Sequence, residues 1–100
     1  MLKLKCKNGT LDVTSVKESR NFNGGTRVKM VDVTIDGKDT SLDEIETVLT
    51  EPELVTDFSI HNEKTGVTVG TFKGYSINNI TRDTQSDRSS IFVNFMKGNS

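Results

Sequence analysis

Alternation of apolar and polar residues runs through the first half of the chain and predicts strands. Residues 2–7 alternate apolar side chains with lysines, which is the period of a strand with one buried face. The Asn-Gly pair that follows is a strong hairpin signal, so residues 11–16 are predicted to form a second strand. A turn rich in Asn and Gly at residues 21–25, which includes Phe22, then leads into a third predicted strand at 26–35.

The third predicted strand changes phase along its length. Its apolar side chains point to one face up to Met30 and to the other face from Val31 onward. A bulge near Met30 is the simplest explanation of this change, and a strand covered on both faces is the alternative.

The second half of the chain returns to alternation of period two. The predicted strands are residues 54–61, 66–73, 75–81 and 90–97. Val67 and Val69 are expected to form the apolar face of one of them. Residues 81–90 contain no apolar side chain, so this segment is predicted to be an exposed and mobile loop.

Helical periodicity is convincing only at residues 42–50. Ser41 is a favourable N-cap residue, and Glu44 three positions later completes a capping box. The apolar residues lie within an arc of roughly 120° and predict a buried face. They are Leu42, Ile45, Val48 and Leu49. The opposite face carries the carboxylates of Asp43, Glu46 and Glu51. Pro52 is predicted to end the helix or to open the next segment, because it cannot donate the backbone bond that continuation needs.

Together these elements predict one α+β domain over residues 1–100. The expected architecture is a mainly antiparallel sheet or small sandwich of about six to seven strands, with one short helix covering an open face. The apolar fraction of 32% is low for a globular domain. We therefore expect a modestly stable monomer whose stability partner subunits could increase.

Charge divides the chain into three blocks. Between Asp32 and Glu63 there are ten acidic residues and one basic residue, Lys38. Residues 1–31 and 64–100 are predominantly basic, although the net charge of the whole chain is only −1. The small net charge therefore hides a polarised molecule, and polarity of this kind steers encounters with a partner.

The inventory of residues for catalysis or metal binding is thin. His61 is the only histidine and Cys6 the only cysteine, and neither spacing nor neighbours favour a zinc site or a Cys–His nucleophile pair. Three aspartates before and within the predicted helix could gather a hard cation, but capping and the helix dipole also favour acidic residues there. They are Asp36, Asp39 and Asp43. We expect no catalytic residue, no cofactor and no metal.

Lysines on the first strand raise the possibility of nucleic-acid binding. Lys3, Lys5 and Lys7 form a row on one strand face. Three further cations could lie near this row: Arg20, Arg27 and Lys29. Without interleaved exposed aromatic residues or a basic isoelectric point, the signal for nucleic acid is weak, and such lysines also deter the aggregation of an edge strand. We therefore do not expect direct binding of nucleic acid.

The end of the chain resembles a family of small phage proteins. Its motif is Gly70-Thr71-Phe72-Lys73-Gly74-Tyr75-Ser76, followed by an alternating last strand over residues 91–97. This pattern, with the opening hairpin and the acidic helix, is similar to tail-associated or baseplate-associated proteins of long-tailed phages that infect Gram-positive bacteria. The resemblance implies a structural or interaction role and no catalytic residues.

The sequence therefore predicts a non-catalytic protein-binding or structural subunit, encoded by a phage and acting in its tail, baseplate or assembly. Its partner would be another protein or a second copy, bound through the strand edges and through Asp43, Glu46 and Glu51. The alternative is a phage inhibitor of a host defence or nucleic-acid enzyme, in which these carboxylates imitate a phosphate backbone. With no leader or long apolar run, the chain is expected in the host cytoplasm or the virion, without a membrane partner.

Overall fold

The computed structural model describes residues 1–49 and 55–98, which form seven strands and one helix. The strands are β1 (Leu2–Cys6), β2 (Gly9–Val13), β3 (Ser15–Asn23), β4 (Thr26–Asp36), β5 (Val55–Asn62), β6 (Thr68–Thr84) and β7 (Ser89–Gly98). The helix is α1 (Leu42–Leu49). The predicted antiparallel sheet with one short helix is confirmed, but the domain is more β than α+β.

All seven strands belong to one antiparallel sheet in the order β2-β1-β5-β6-β7-β4-β3. Strand β6 joins the two halves of this sheet, because its first half pairs with β5 and its second half with β7. The sheet also curls, since β2 and β4 contact each other although they lie near opposite ends of the strand order. Thr14 connects β2 to β3, which are the two terminal strands of the order.

The curled sheet encloses one apolar core. Its buried strand residues are Leu4, Val13, Val31, Val33, Ile35, Phe58, Ile60, Phe72, Tyr75, Ile91, Val93 and Phe95. Four of them form an aromatic cluster in which the Phe58 ring lies 4.5 Å from Phe95 and 4.9 Å from Phe72, measured between centroids. Aromatic pairs at such distances contribute about 0.5–1.5 kcal/mol beyond their burial. The core therefore depends on β5, β6 and β7 together.

Helix α1 begins as predicted and packs through part of its predicted apolar face. The Ser41 hydroxyl accepts a hydrogen bond from the Glu44 backbone N–H at 3.1 Å, which confirms the N-cap. Ile45 and Leu49 are fully buried. Leu42 is 37% exposed, so its predicted docking into the core is wrong. The predicted positions at residues 50–52 and 54 lie outside the described residues.

Several predicted strand boundaries are wrong. Val16 does not continue the second strand but belongs to β3, which pairs with β4 from Ser15 to Asn23. Strand β4 has no register shift against either neighbour, so the bulge near Met30 is absent and the half-buried Met30 lies on the face opposite Val31. The change of phase needs no bulge, because Val28 and Met30 lie half-buried on one face of β4 while Val31, Val33 and Ile35 lie buried on the other.

The structure also corrects the second half of the chain. Gly74 lies inside β6 at φ +74° instead of separating two strands. The predicted loop at residues 81–90 contracts to a turn at 85–88, because β6 extends to Thr84 and β7 begins at Ser89. Val67 and Val69 are 58% and 61% exposed, so the apolar face predicted from them is also wrong.

Candidate interaction surfaces

The exposed side of helix α1 carries the first two residues of the predicted acidic patch. Asp43 and Glu46 are exposed and lie one turn apart, and neither forms an ion pair with any described residue. Leu42 lies four positions before Glu46 and is therefore its neighbour on the helix surface. We call Leu42, Asp43 and Glu46 the acidic helix face. The third predicted residue, Glu51, lies outside the described residues.

Cations from three strands meet at the other end of β4. Arg20 of β3 is the direct cross-strand partner of Lys29 of β4, and Lys29 is the partner of Lys97 of β7. Direct partners lie on the same face of a sheet, so these three side chains stand side by side. No described carboxylate lies within ion-pair distance of any of them. This end of the sheet is therefore positively charged and lacks a partner for its charge in the described part of the chain.

Aromatic rings accompany these cations. Phe22 is 69% exposed, and the Arg27 guanidinium lies 5.7 Å from its ring centroid. The Lys97 ammonium lies 5.9 Å from the ring centroid of Tyr75 and donates to the Lys73 carbonyl at 2.9 Å. We call Arg20, Phe22, Arg27, Lys29 and Lys97 the basic shelf.

The basic shelf borders an open cavity of about 540 Å³. The cavity is lined by Glu18, Ser19, Arg20, Phe22, Lys29, Met30 and Tyr75. Burial raises the pKa of the Tyr75 phenol above its ordinary value, the Glu18 carboxylate raises it further, and Arg20 opposes them. The pKa of this phenol, which lines the cavity, therefore depends on the charges of Glu18 and Arg20 in β3.

The lysine row of β1 lies elsewhere. Lys3 forms ion pairs with Asp12 and, at 3.8 Å, with Glu63, and the hydrogen bond that its ammonium donates to the Asp12 carboxylate raises the pKa of Lys3. Lys3 and Lys5 alternate with the buried Leu4, so they face away from the core. Lys29 and Lys97 each lie two residues from a buried residue, Val31 and Phe95, so they stand on the core side of the curled sheet. The structure thus separates the lysine row from the basic shelf.

His61 is held between two hydroxyl groups. Ser59 Oγ lies 2.7 Å from His61 Nε2, and Thr68 Oγ1 lies 3.1 Å from His61 Nδ1. A serine beside a histidine can act as a nucleophile when a third group orients the ring, and here that group is an uncharged hydroxyl. The arrangement positions the ring but supplies no carboxylate to stabilise an imidazolium.

The three aspartates considered for a cation do not assemble a site. Within residues 1–49 and 55–98, no group of three His, Cys, Asp or Glu side chains is close enough to hold a metal ion. Asp36 instead accepts a hydrogen bond from the Lys38 backbone N–H at 3.0 Å, which is a local turn contact.

Unpaired strand edges provide a further type of surface. Within residues 1–49 and 55–98, β2 and β3 are the terminal strands of the order, and β3 pairs only with β4 along its nine residues. In the same part of the chain the first half of β6 pairs only with β5; the exposed Val69 belongs to this half and the exposed Val67 directly precedes it. Such edges present backbone donors and acceptors to which another chain can add a strand.

No helix in the described part of the chain is long and apolar enough to cross a membrane. The chain matches no protein-family model and no curated protein. The resemblance to phage tail and baseplate proteins accordingly stays a prediction.

Sequence reasoning missed the basic shelf because it missed β3. The segment from Lys17 to Asn23 has one apolar residue, so its periodicity gives no strand signal and Phe22 falls in the predicted turn. A usable signal was present in the turn itself. Extending the hairpin symmetrically from Gly24 and Gly25 pairs Phe22 with Arg27 and Arg20 with Lys29, as the structure does.

Proposed function

We propose that the chain is a non-catalytic, protein-binding structural subunit, acting in the tail, baseplate or assembly apparatus of a long-tailed phage of Gram-positive bacteria. The observation that carries the proposal is the acidic helix face. Its two carboxylates are exposed and without an ion-pair partner among the described residues, on a helix whose other side is anchored by Ile45 and Leu49. A rigidly mounted charged face of this kind favours docking to a basic protein surface.

Free strand edges support the same function. Strand β3 offers an edge of nine residues to which no other described strand is paired, and the first half of β6 offers a second. Structural subunits commonly extend their sheets by pairing such edges between neighbours. The polar residues of β3 would keep this edge from indiscriminate aggregation before assembly.

A host-enzyme inhibitor is the second candidate, and the same exposed carboxylates favour it. A row of negative charges on a helix can occupy a basic groove that normally holds a phosphate backbone. The two functions differ in where the chain acts. A structural subunit stays with the particle, whereas an inhibitor binds an enzyme of the infected cell.

The experiment is mass spectrometry of purified virions, comparing phages that carry the natural chain with phages that carry Asp43→Lys/Glu46→Lys. We expect the natural chain at a constant number of copies per particle, with at least several-fold less of the variant, because reversed charge repels the basic docking surface. Asp83→Lys/Asp87→Lys is the matched control, with the same change in net charge in the β6–β7 hairpin. Absence of the natural chain from virions would contradict the structural role, and loss of nuclease inhibition in the helix variant would then favour the inhibitor.

A further inference from the structure

We propose that the basic shelf binds the acidic helix face of a second copy of this chain, so that copies associate head to tail. The inference rests on the proposed protein-binding function and names its partner. The cations of the basic shelf form no ion pair with any described carboxylate.

The basic shelf requires a ligand that is anionic and partly apolar. Arg20, Lys29 and Lys97 stand adjacent across three strands, and direct like-charge neighbours in a sheet repel each other. An anion placed over them removes that repulsion and gains charge-assisted hydrogen bonds. The exposed Phe22 ring at the rim adds a site for an apolar side chain.

The acidic helix face matches both requirements. Asp43 and Glu46 place two carboxylates on one side of the helix within one turn, and Leu42 places an apolar side chain beside Glu46. A guanidinium binds a carboxylate through two parallel hydrogen bonds, so Arg20 and Arg27 are suited to this pairing. Leu42 would then lie against Phe22. The fit therefore includes charge, hydrogen bonding and apolar contact.

One molecule cannot satisfy its own shelf by this contact. Arg27 and Asp36 lie at opposite ends of the described β4, and nine residue steps of strand span roughly 30 Å. The segment that leads into α1 is fixed at the Asp36 end, because Arg82 donates to the carbonyls of Gly37 and Thr40. The two surfaces thus belong to different regions of the molecule. A contact between unlike surfaces repeats from copy to copy and generates a ring or a filament.

Single-stranded nucleic acid is the competing ligand for cations beside an aromatic ring. The shelf is less suited to it, because the Glu18 carboxylate lines the same cavity and would repel a phosphate. The shelf also contributes one exposed aromatic ring, whereas strand-binding grooves use several rings in succession. A protein segment can place its carboxylates over the cations and avoid Glu18.

The test measures the mass of the purified chain by sedimentation at low and high salt. We expect association that increases with concentration at low salt and weakens at 1 M salt, at which the Debye length falls to about 3 Å. The shelf variant is Arg20→Glu/Lys29→Glu and the helix variant is Asp43→Lys/Glu46→Lys. Each should weaken association roughly tenfold or more, because two attractive pairs become repulsive. Lys64→Glu/Arg88→Glu and Asp83→Lys/Asp87→Lys are controls of equal charge change and should associate as the natural chain does.

A mixture of the shelf variant and the helix variant tests whether the two surfaces bind each other. The shelf variant keeps an unchanged helix face and the helix variant keeps an unchanged shelf, so an equimolar mixture should associate again although each variant alone does not. A mixture that stays monomeric, or a natural chain that is monomeric at every salt concentration, would overturn the proposal. Binding of a fluorescent single-stranded oligonucleotide that the shelf variant loses would also overturn it and assign the shelf to nucleic acid. A monomeric chain that is still incorporated into virions would leave the proposed function intact.

Discussion

Arg82 shows how one side chain positions the acidic helix. Its guanidinium donates to the Gly37 carbonyl at 3.0 Å, to Ser89 Oγ at 3.2 Å and to the Thr40 carbonyl. These bonds connect strand β6 to the segment that joins β4 to α1. The sequence predicted an exposed loop at this position, because a run of polar residues does not reveal which of them bonds backbone carbonyls.

We expect Arg82→Ala to lower the free energy of unfolding by about 1–3 kcal/mol, since the partly buried carbonyls of Gly37 and Thr40 lose their donor. Urea unfolding measures this loss. Arg88→Ala is the matched control, because Arg88 is exposed in the adjacent turn, and it should change the free energy by less than about 0.5 kcal/mol. Equal effects of the two substitutions would show that the Arg82 bonds do not stabilise the fold.

Tyr75 gives a direct spectroscopic measure of the shelf's charges, because it is the only tyrosine. Burial and Glu18 raise the pKa of its phenol, whereas Arg20 lowers it. Titration of tyrosinate absorbance should therefore give a higher pKa for Arg20→Ala and a lower one for Glu18→Gln than for the natural chain. Lys64→Ala should leave the titration unchanged, because Lys64 does not belong to the shelf.

The raised pKa of Tyr75 also has a consequence for stability. The folded state holds the phenol proton more tightly than the unfolded state, so the free energy of unfolding falls as pH rises from the unfolded pKa of about 10 through the folded value. Tyr75→Phe should reduce this alkaline decline. An equally steep decline in the phenylalanine variant would exclude Tyr75 as its source.

At the scale of elements, helix α1 provides a comparison between two leucines of one segment. Leu49 is fully buried and Leu42 is 37% exposed. We expect Leu49→Ala to lower the free energy of unfolding by about 2–5 kcal/mol, because truncation leaves a cavity, and Leu42→Ala to lower it by much less. Similar losses in urea melts would contradict the packing described for α1.

The elements that could be predicted are those with a local signal. Residues 2–7 alternate regularly and predict a strand, Ser41 and Glu44 mark the start of a helix, and the Asn-Gly pair marks a hairpin. The structure contains the strand, the helix start and the hairpin. Strand β3 carries little such signal, because Val16 and Phe22 are its only apolar residues and its pairing with β4 is not visible in its own pattern. The predicted burial of Leu42 is wrong for a related reason. Periodicity identifies the apolar face of the helix, but it does not show how much of that face the sheet covers.

The short β6–β7 turn determines where trypsin should cut first. Arg82 lies in β6 opposite Ile91, whereas Arg88 ends the turn, in which the Gln85 N–H donates to the Arg88 carbonyl at 2.8 Å. We expect cleavage after Arg88 to precede cleavage after Arg82 in the folded chain, because a paired strand must open before a protease can bind it. Mass spectrometry of early fragments measures the order, and urea-unfolded protein, cut at both sites, is the control.

Across the whole molecule, the fold converts a polarised sequence into two separate charged surfaces. The acidic block includes α1, while the basic residues of β3, β4 and β7 come together only through the strand order. The acidic block can be identified from the sequence alone. The basic shelf cannot, because strand pairing brings Lys97 and Arg20 together from positions that are far apart in the chain.

These surfaces should act on association and leave the fold unchanged. Asp43 and Glu46 are exposed and make no ion pair with a described residue, so Glu46→Lys should change the free energy of unfolding by no more than about 0.5 kcal/mol. Asp43→Lys should lower it by about 1 kcal/mol, because it replaces a carboxylate by a cation in the first turn of the helix. The same substitutions should weaken association at low salt, and the difference should shrink as added salt screens the charges. Urea melts and sedimentation of the same preparations measure both quantities. A large loss of stability in the variant would mean that these carboxylates hold the helix in place, and the weakened association would then follow from misfolding.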